Sequence, residues 1–250
     1  MTIRNFVGLL IALFVLAGCV STTPSPISDP TIPPLRVHLS PDLSFLEPIL
    51  SSCKPQAPKY ELILVKEPQH PTDPSAADLI IRWGIPGEVI PEPENDVQTY
   101  RLADVPFSII AHPDRTLPIL SASTLADIFQ GKIQNWSVIS SDTEPGAIQP
   151  VMYPTDHPLR RMFQSVLFPQ GSLASNARIA PHPEAVIKVV SEHSGAIGFI
   201  PDPYRTNAIQ IVSISSTLDT YTQPLWGLQV DISNPQAETL LACITETLQD

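Results

Sequence analysis

Beyond residue 34 the apolar positions of this chain fall into short blocks, and β-branched or aliphatic runs alternate with runs at helical spacing. Residues 35–39 and 60–66 read as strands, separated by a helix that opens at Ser40-Pro41, where serine can cap and proline fits the first turn. Residues 78–82 form a further short strand, 106–111 an extended apolar run, and 68–76 and 86–95 proline-rich polar loops. Residues 124–130 predict a short helix capped by Ser123 or Thr124, with Asp127 in its first turn and Gly131 as a left-handed exit. A strand at 148–153 feeds a helix at 158–168, where Leu159, Met162, Phe163, Val166 and Leu167 share a face. Another helix at 183–193 turns Val186, Val189 and Val190 inward, and strands at 196–200, 209–214 and 225–231 precede a last helix around Leu240, Leu241, Ile244 and Leu248. This alternation predicts an α/β architecture with mostly parallel, buried strands.

The amino-terminal segment has a different pattern. Arg4 is the one charge before an apolar run at 6–16, about 11 residues, too short to span a bilayer and right for the core of a secretory signal. The run ends in Leu16-Ala17-Gly18-Cys19, which resembles the lipobox of bacterial lipoprotein precursors. That resemblance implies removal of residues 1–18, a diacylglyceryl thioether on Cys19 and acylation of the new amino terminus. With ~0.8 kcal/mol per buried methylene, several acyl chains make a durable anchor. The alternative is an ordinary signal peptide followed by a coincidental cysteine. Residues 19–34, rich in Ser, Thr and Pro, predict an extended tether, so the body is expected at the extracytoplasmic face of a bacterial membrane.

Composition narrows the function classes. With 43% hydrophobic and 16% charged residues the chain is globular, and its formal net charge of −11 is the wrong sign for binding nucleic acid through phosphates. Pro at 29 against Gly at 10 means that any anion site must do without a glycine-rich cradle. Once Cys19 is set aside, Cys53 and Cys243 remain, either joined in a disulfide or as two separate buried thiols. Bonding requires the helix carrying Leu43, Leu46 and Leu50 to touch the last one. Catalytic signatures are missing: there is no Gly-x-Ser-x-Gly elbow, no Gly-x-x-x-x-Gly-Lys loop and no His-Glu-x-x-His helix. The histidines at 38, 70, 112, 157, 182 and 193 lack metal-ligand spacing, and Glu92 and Glu94 sit in a proline-rich loop. No enzyme activity, metal or cofactor is expected.

Two segments in the second half carry more information. Leu125-Ala126-Asp127-Ile128-Phe129-Gln130-Gly131-Lys132-Ile133-Gln134-Asn135-Trp136 resembles a segment of phosphate-type periplasmic substrate-binding proteins of ABC importers, and Ser194-Gly195-Ala196-Ile197-Gly198-Phe199-Ile200 resembles the helix-to-strand turn that follows in the same family. The resemblance implies a type II periplasmic-binding-protein fold, two α/β lobes joined by crossovers near 104–108 and 201–207. Lobe 1 is then 35–105 with 207–250, and lobe 2 is 106–206. In such a fold the last helix returns to the lobe that holds Cys53, which favours the Cys53–Cys243 bridge. Phe129, Ile133 and Trp136 are read as packing residues, and Gly195 and Gly198 as positions of close approach.

In open α/β sheets ligands bind outside the carboxyl ends of strands, near helix amino termini. Three places qualify: Ser40 to Ser44, Arg82-Trp83-Gly84, and the stretch from Tyr153 to Arg161. The candidate ligand-binding residues are Ser40, Ser44, Arg82, Trp83, Thr155, Asp156, His157 and Arg160. The family's phosphate binders carry an Arg and then a Gly-Ser-Gly-Thr turn, but Tyr153 and Asp156-His157-Pro158-Leu159 stand at those positions here. Pro158 has no N–H, and Asp156 is expected to cap the helix with its own carboxylate. Inorganic phosphate is therefore a poor ligand. Arg160 and Arg161 also fit the solvated face of an amphipathic helix, and Trp83 either stacks on a ligand or packs beneath the cleft. The expected function is a lipid-anchored solute-binding protein that takes a small polar or anionic solute to an ABC permease. The alternative is a ligand-free scaffold or sensor in the same fold.

Overall fold

A computed structural model describes residues 34–53, 62–65, 77–84, 97–139, 145–215, 222–232 and 234–249. The lipobox-like segment with Cys19, residues 19–33 expected as a tether, and the loops expected at 68–76 and 86–95 lie outside the described residues. Nine strands among the described residues form a mixed sheet: β1 (Leu35–Leu39), β2 (Leu62–Val65), β3 (Leu79–Trp83), β4 (Gln98–Ala111), β5 (Gln149–Met152), β6 (Arg178–Ile179), β7 (Ala196–Pro201), β8 (Gln210–Ile211) and β9 (Thr222–Gln229). The helices are α1 (Leu46–Ser52), α2 (Ala122–Phe129), α3 (Pro158–Leu167), α4 (Pro183–Glu192) and α5 (Pro235–Gln249). The strand order is β2-β1-β3-β9-β4-β7-β5-β6, with β8 against β4.

Pairing is parallel where a helical crossover intervenes, at β1 with β2 and β3 and at β5 with β6 and β7. The long strands that tie the two ends of the sheet together run antiparallel. β9 joins β3 to the first part of β4, and β4 then exchanges β9 for β7 between Pro106 and Phe107. One apolar core runs through the body, from Leu35, Leu46, Leu79 and Leu240 to Phe129, Phe163, Phe199 and Val190, all buried. It is aromatic in the second half, where Phe163 stacks on Phe199 with centroids 4.0 Å apart and meets Phe129 edge-on at 4.8 Å.

Several local details differ from the sequence expectation. Ser40 makes no capping bond; the chain turns through a short 3-10 segment, Pro41–Leu43, before α1 begins. In α2 the cap is Ser121, whose hydroxyl accepts the Thr124 N–H at 3.0 Å, so the helix starts before Ser123 and Asp127 lies past the first turn. Asp127 instead pairs with Lys132 at 2.9 Å. Gly131 does take the left-handed exit, at φ 76°. The strand read at 209–214 shortens to Gln210–Ile211, after which Ile214 bridges to Leu120. β4 begins eight residues before the apolar run at Pro106. Its register slips between Arg101 and Ala103, so the buried Leu102 and Val105 are three apart and break the alternation that marks a strand. Cys53 and Cys243 are bonded, their Cα atoms 5.7 Å apart, and the bridge joins the end of α1 to α5.

Candidate functional site

The strand β1 delivers Ser40-Pro41-Asp42-Leu43-Ser44-Phe45 to the place where the amino termini of α3 and α4 meet. Leu43 is buried and anchors this turn, and Leu43 N–H donates to the Ser40 carbonyl at 2.9 Å. Phe45 is held between Trp83, stacked at 6.0 Å, and Tyr204, edge-on at 5.6 Å. Tyr204 belongs to a second 3-10 turn, Asp202–Tyr204, that follows β7. Its hydroxyl donates to the Asp42 carbonyl at 2.9 Å and lies 3.0 Å from the Ser44 hydroxyl. Burial pushes the Tyr204 phenol well above its ordinary value, so it stays a hydrogen-bond donor throughout the physiological range.

At the bottom of the junction Asp42 and His157 face each other, 3% and 0% exposed. His157 caps α3: its Nδ1 accepts the Leu159 N–H at 3.2 Å. With Nδ1 used as an acceptor, the ring hydrogen belongs on Nε2, which stands 3.2 Å from Asp42 Oδ2. The Ser40 hydroxyl donates to the other carboxylate oxygen, Oδ1. Burial works to raise the Asp42 carboxyl. The His157 imidazole beside it, together with the Ser40 hydroxyl, outweighs burial and holds the group below its ordinary range. Tyr153 fixes the imidazole from behind, stacked at 4.6 Å, and its own hydroxyl donates to the Phe199 carbonyl at 3.0 Å. Burial raises the Tyr153 phenol as well.

Nearer the surface, Ser44 donates to Glu184 Oε1 in the first turn of α4. Glu184 Oε2 lies 2.9 Å from Nδ1 of His182, the residue that caps α4 by accepting the Ala185 N–H at 3.3 Å. The His182 and Glu184 side chains are 44% and 45% exposed, so this layer is open to solvent while the Asp42–His157 layer is dry. Two tiers of polar groups thus join the turn after β1 to two helix amino termini.

Of the residues singled out in the sequence, Ser40, Ser44 and His157 come together here. The others do not. Trp83 is 1% exposed and packs in the core. The Arg82 guanidinium donates to the Trp83 carbonyl at 3.2 Å. Arg160 donates to the Tyr153 carbonyl at 3.2 Å and to Gln164 at 3.0 Å, and partial burial lowers its pKa. Thr155 and Asp156 are exposed. Asp156 pairs with Arg161 at 3.5 Å on the surface and leaves the capping of α3 to His157, because the chain enters the helix one residue later than a cap at Asp156 requires. Sequence reasoning passed over Asp42, His182, Glu184 and Tyr204. For Asp42 a signal existed, an acid two residues after a strand-ending serine, while Glu184 and Tyr204 reach the site only through tertiary packing.

Against known proteins, no curated protein matches the chain. Solved structures match its fold. A phosphate ABC transporter substrate-binding protein from Clostridium perfringens with bound phosphate aligns at TM-score 0.66 and 14% identity, over 85% of this chain and 93% of its own. An ABC-type phosphate transport receptor from Vibrio cholerae aligns at 0.61 and 16%, over 86% and 95%. The reduced OxyR regulatory domain from Pseudomonas aeruginosa does so equally well, at 0.61 and 16%, over 85% and 97%. A fold shared by transport receptors and a regulatory domain does not choose between them. A family model described as a PBP superfamily domain matches residues 87–238, more than half of the chain. The mixed α/β sheet, the junction at its strand ends and this match agree, and the chain belongs to the PBP superfamily.

Proposed function

We propose that the chain is a solute-binding protein of the extracytoplasmic face, held to the membrane by lipid on Cys19, that captures a small polar solute between two lobes and passes it to an ABC permease. One observation carries this reading. The turn after β1 and the amino termini of α3 and α4 converge on a single polar junction whose outer tier, Ser44, His182 and Glu184, is half exposed. A site at strand ends, floored by buried aromatic rings and rimmed by hydroxyl, imidazole and carboxylate groups, suits a solute rich in hydroxyl or amino groups. We place the lobes at 35–105 with 207–250 and at 106–206, with β4 and the turn at 201–207 acting as the hinge. No bond is made or broken in this function.

Inorganic phosphate does not suit the junction. Pro158 offers no N–H, the Leu159 N–H is taken by His157, and the carboxylates of Asp42 and Glu184 stand at the amino ends of α3 and α4 and would repel an anion there. Their mutual pairing is also what favours the second reading, a ligand-free scaffold or sensor, since a site satisfied by its own side chains can persist without a guest.

A thermal-shift panel on the mature chain separates the two. A receptor is stabilised by mass action, by about 2.7 kcal/mol at a hundredfold excess over Kd. The solute reading predicts a saturable rise in Tm with a sugar, polyol or amine and none with phosphate. A folded chain indifferent to every compound supports the scaffold. Membrane anchoring is checked separately, by intact mass of the membrane-extracted protein and release of the Cys19→Ser variant into the soluble fraction.

A further inference from the structure

The inner tier of the junction has an unusual chemistry. His157 presents only a donor, Nε2–H, because Leu159 N–H occupies Nδ1. Ser40 presents a second donor. The Ser40 hydroxyl meets one oxygen of the residue placed there and Nε2 stands 3.2 Å from the other, at the head of a ten-residue helix, and a place of that kind calls for an anion. The chain fills it with Asp42, whose backbone carbonyl is clamped by the Tyr204 hydroxyl at 2.9 Å. Within the geometry Asp42 Oδ2 and His157 Nε2 have no hydrogen-bond partner beyond their contact with each other at 3.2 Å. Arg160, the nearest cation on α3 by sequence, is already engaged by the Tyr153 carbonyl and Gln164.

We infer that Asp42 is the specificity-determining residue of the site, a tethered anion that occupies the oxyanion position from within the chain and so excludes free carboxylates, phosphate and sulfate. A free oxyanion entering the dry tier must either lie beside a like charge or expel a carboxylate whose backbone is fixed at Tyr204, and both are unfavourable. The guests that remain are those that offer hydroxyl or ammonium hydrogens to Glu184 and Ser44. The inference rests on the solute-binding reading for the location of the site. It is tested with small anions, so an empty solute panel and a failure here are separate results.

In the Asp42→Gly chain the carboxymethyl group is gone and a hole the size of formate or acetate faces Nε2–H and Ser40. That variant is expected to bind formate at least ~10-fold more tightly than the wild-type chain, with a saturable rise in Tm. Asp42→Asn, which still fills the hole, and Asp42→Gly combined with His157→Phe, which removes the donor, are expected to show no response. A wild-type chain stabilised by formate, phosphate or sulfate overturns the inference, and so does a folded Asp42→Gly chain that ignores formate and acetate. If Asp42→Gly does not fold even with formate, the imidazole of the wild-type chain decides. Nitrogen NMR of His157 must show the hydrogen on Nε2 and resonances that phosphate and sulfate leave in place, and a saturable displacement by either anion overturns it.

Discussion

A carboxylate as dry as Asp42 is tolerable only where donors meet its oxygens, and Ser40 and His157 supply them from two different parts of the chain. Two consequences can be measured. Because the folded-state pKa of Asp42 lies below that of the unfolded chain, its contribution to stability is fully present above pH about 4 and is lost as pH falls through the folded value. The urea midpoint of the wild-type chain should therefore fall with acidification below that point, and Asp42→Asn should flatten that part of the slope; an unchanged slope contradicts the pairing. At neutral pH Asp42→Asn should lose about 1 to 3 kcal/mol, since the charge-assisted contact becomes a neutral one, while His157→Phe should lose more because it leaves a buried carboxylate with Ser40 alone. Glycine at two positions is fixed by contact. A Cβ on Gly195 would stand 2.3 Å from the Ala147 carbonyl oxygen, and one on Gly198 would stand 2.8 Å from Val186.

At the scale of elements, α3 and α4 were legible because proline at the first turn and the apolar stripe agree, although their caps were not. α3 and α4 each open with His-Pro and bury residues at helical spacing, Leu159, Met162 and Phe163 in one, Val186, Val189 and Val190 in the other. What remained hidden was tertiary. The early part of β4 has a bulge that spoils its alternation, and the cap of α3 was assigned to Asp156 instead of His157 because histidine is a less usual cap than aspartate. The same logic gives two predictions. Ser121→Ala removes the acceptor for the Thr124 N–H and should lower stability by about 1 kcal/mol, read as a shift in the denaturant midpoint at constant slope. Cys53→Ser opens a covalent loop with a sequence separation of 190 that joins α1 to α5, and should cost about 2 to 5 kcal/mol, as should reduction of the native chain. Equal melting of reduced and oxidised protein contradicts that bridge.

For the whole molecule, the α/β class was legible from the alternation of strand and helix patterns, and the family from two short segments in sequence order, because residues such as Phe129, Trp136, Gly195 and Gly198 hold a core and a turn that the fold demands whatever the guest. The candidate junction was legible only in part, through Ser40, Ser44 and His157, because its partners lie more than a hundred residues away from the turn they meet, as Ser44 and Glu184 do. Packing requirements survive as local pattern, whereas a site assembled from distant segments leaves little. Selectivity, on this account, resides in carboxylates at the junction, one in a tier open to solvent and one in a dry tier. The most direct measurement is a crystal structure of the chain purified from its own membrane without refolding. The account predicts a small uncharged or cationic polar molecule in contact with Ser44, His182 and Glu184, with Asp42 still on His157. A bound phosphate in place of the Asp42 carboxylate, or a closed junction with Ser44 on Glu184 and no guest at all, would contradict it.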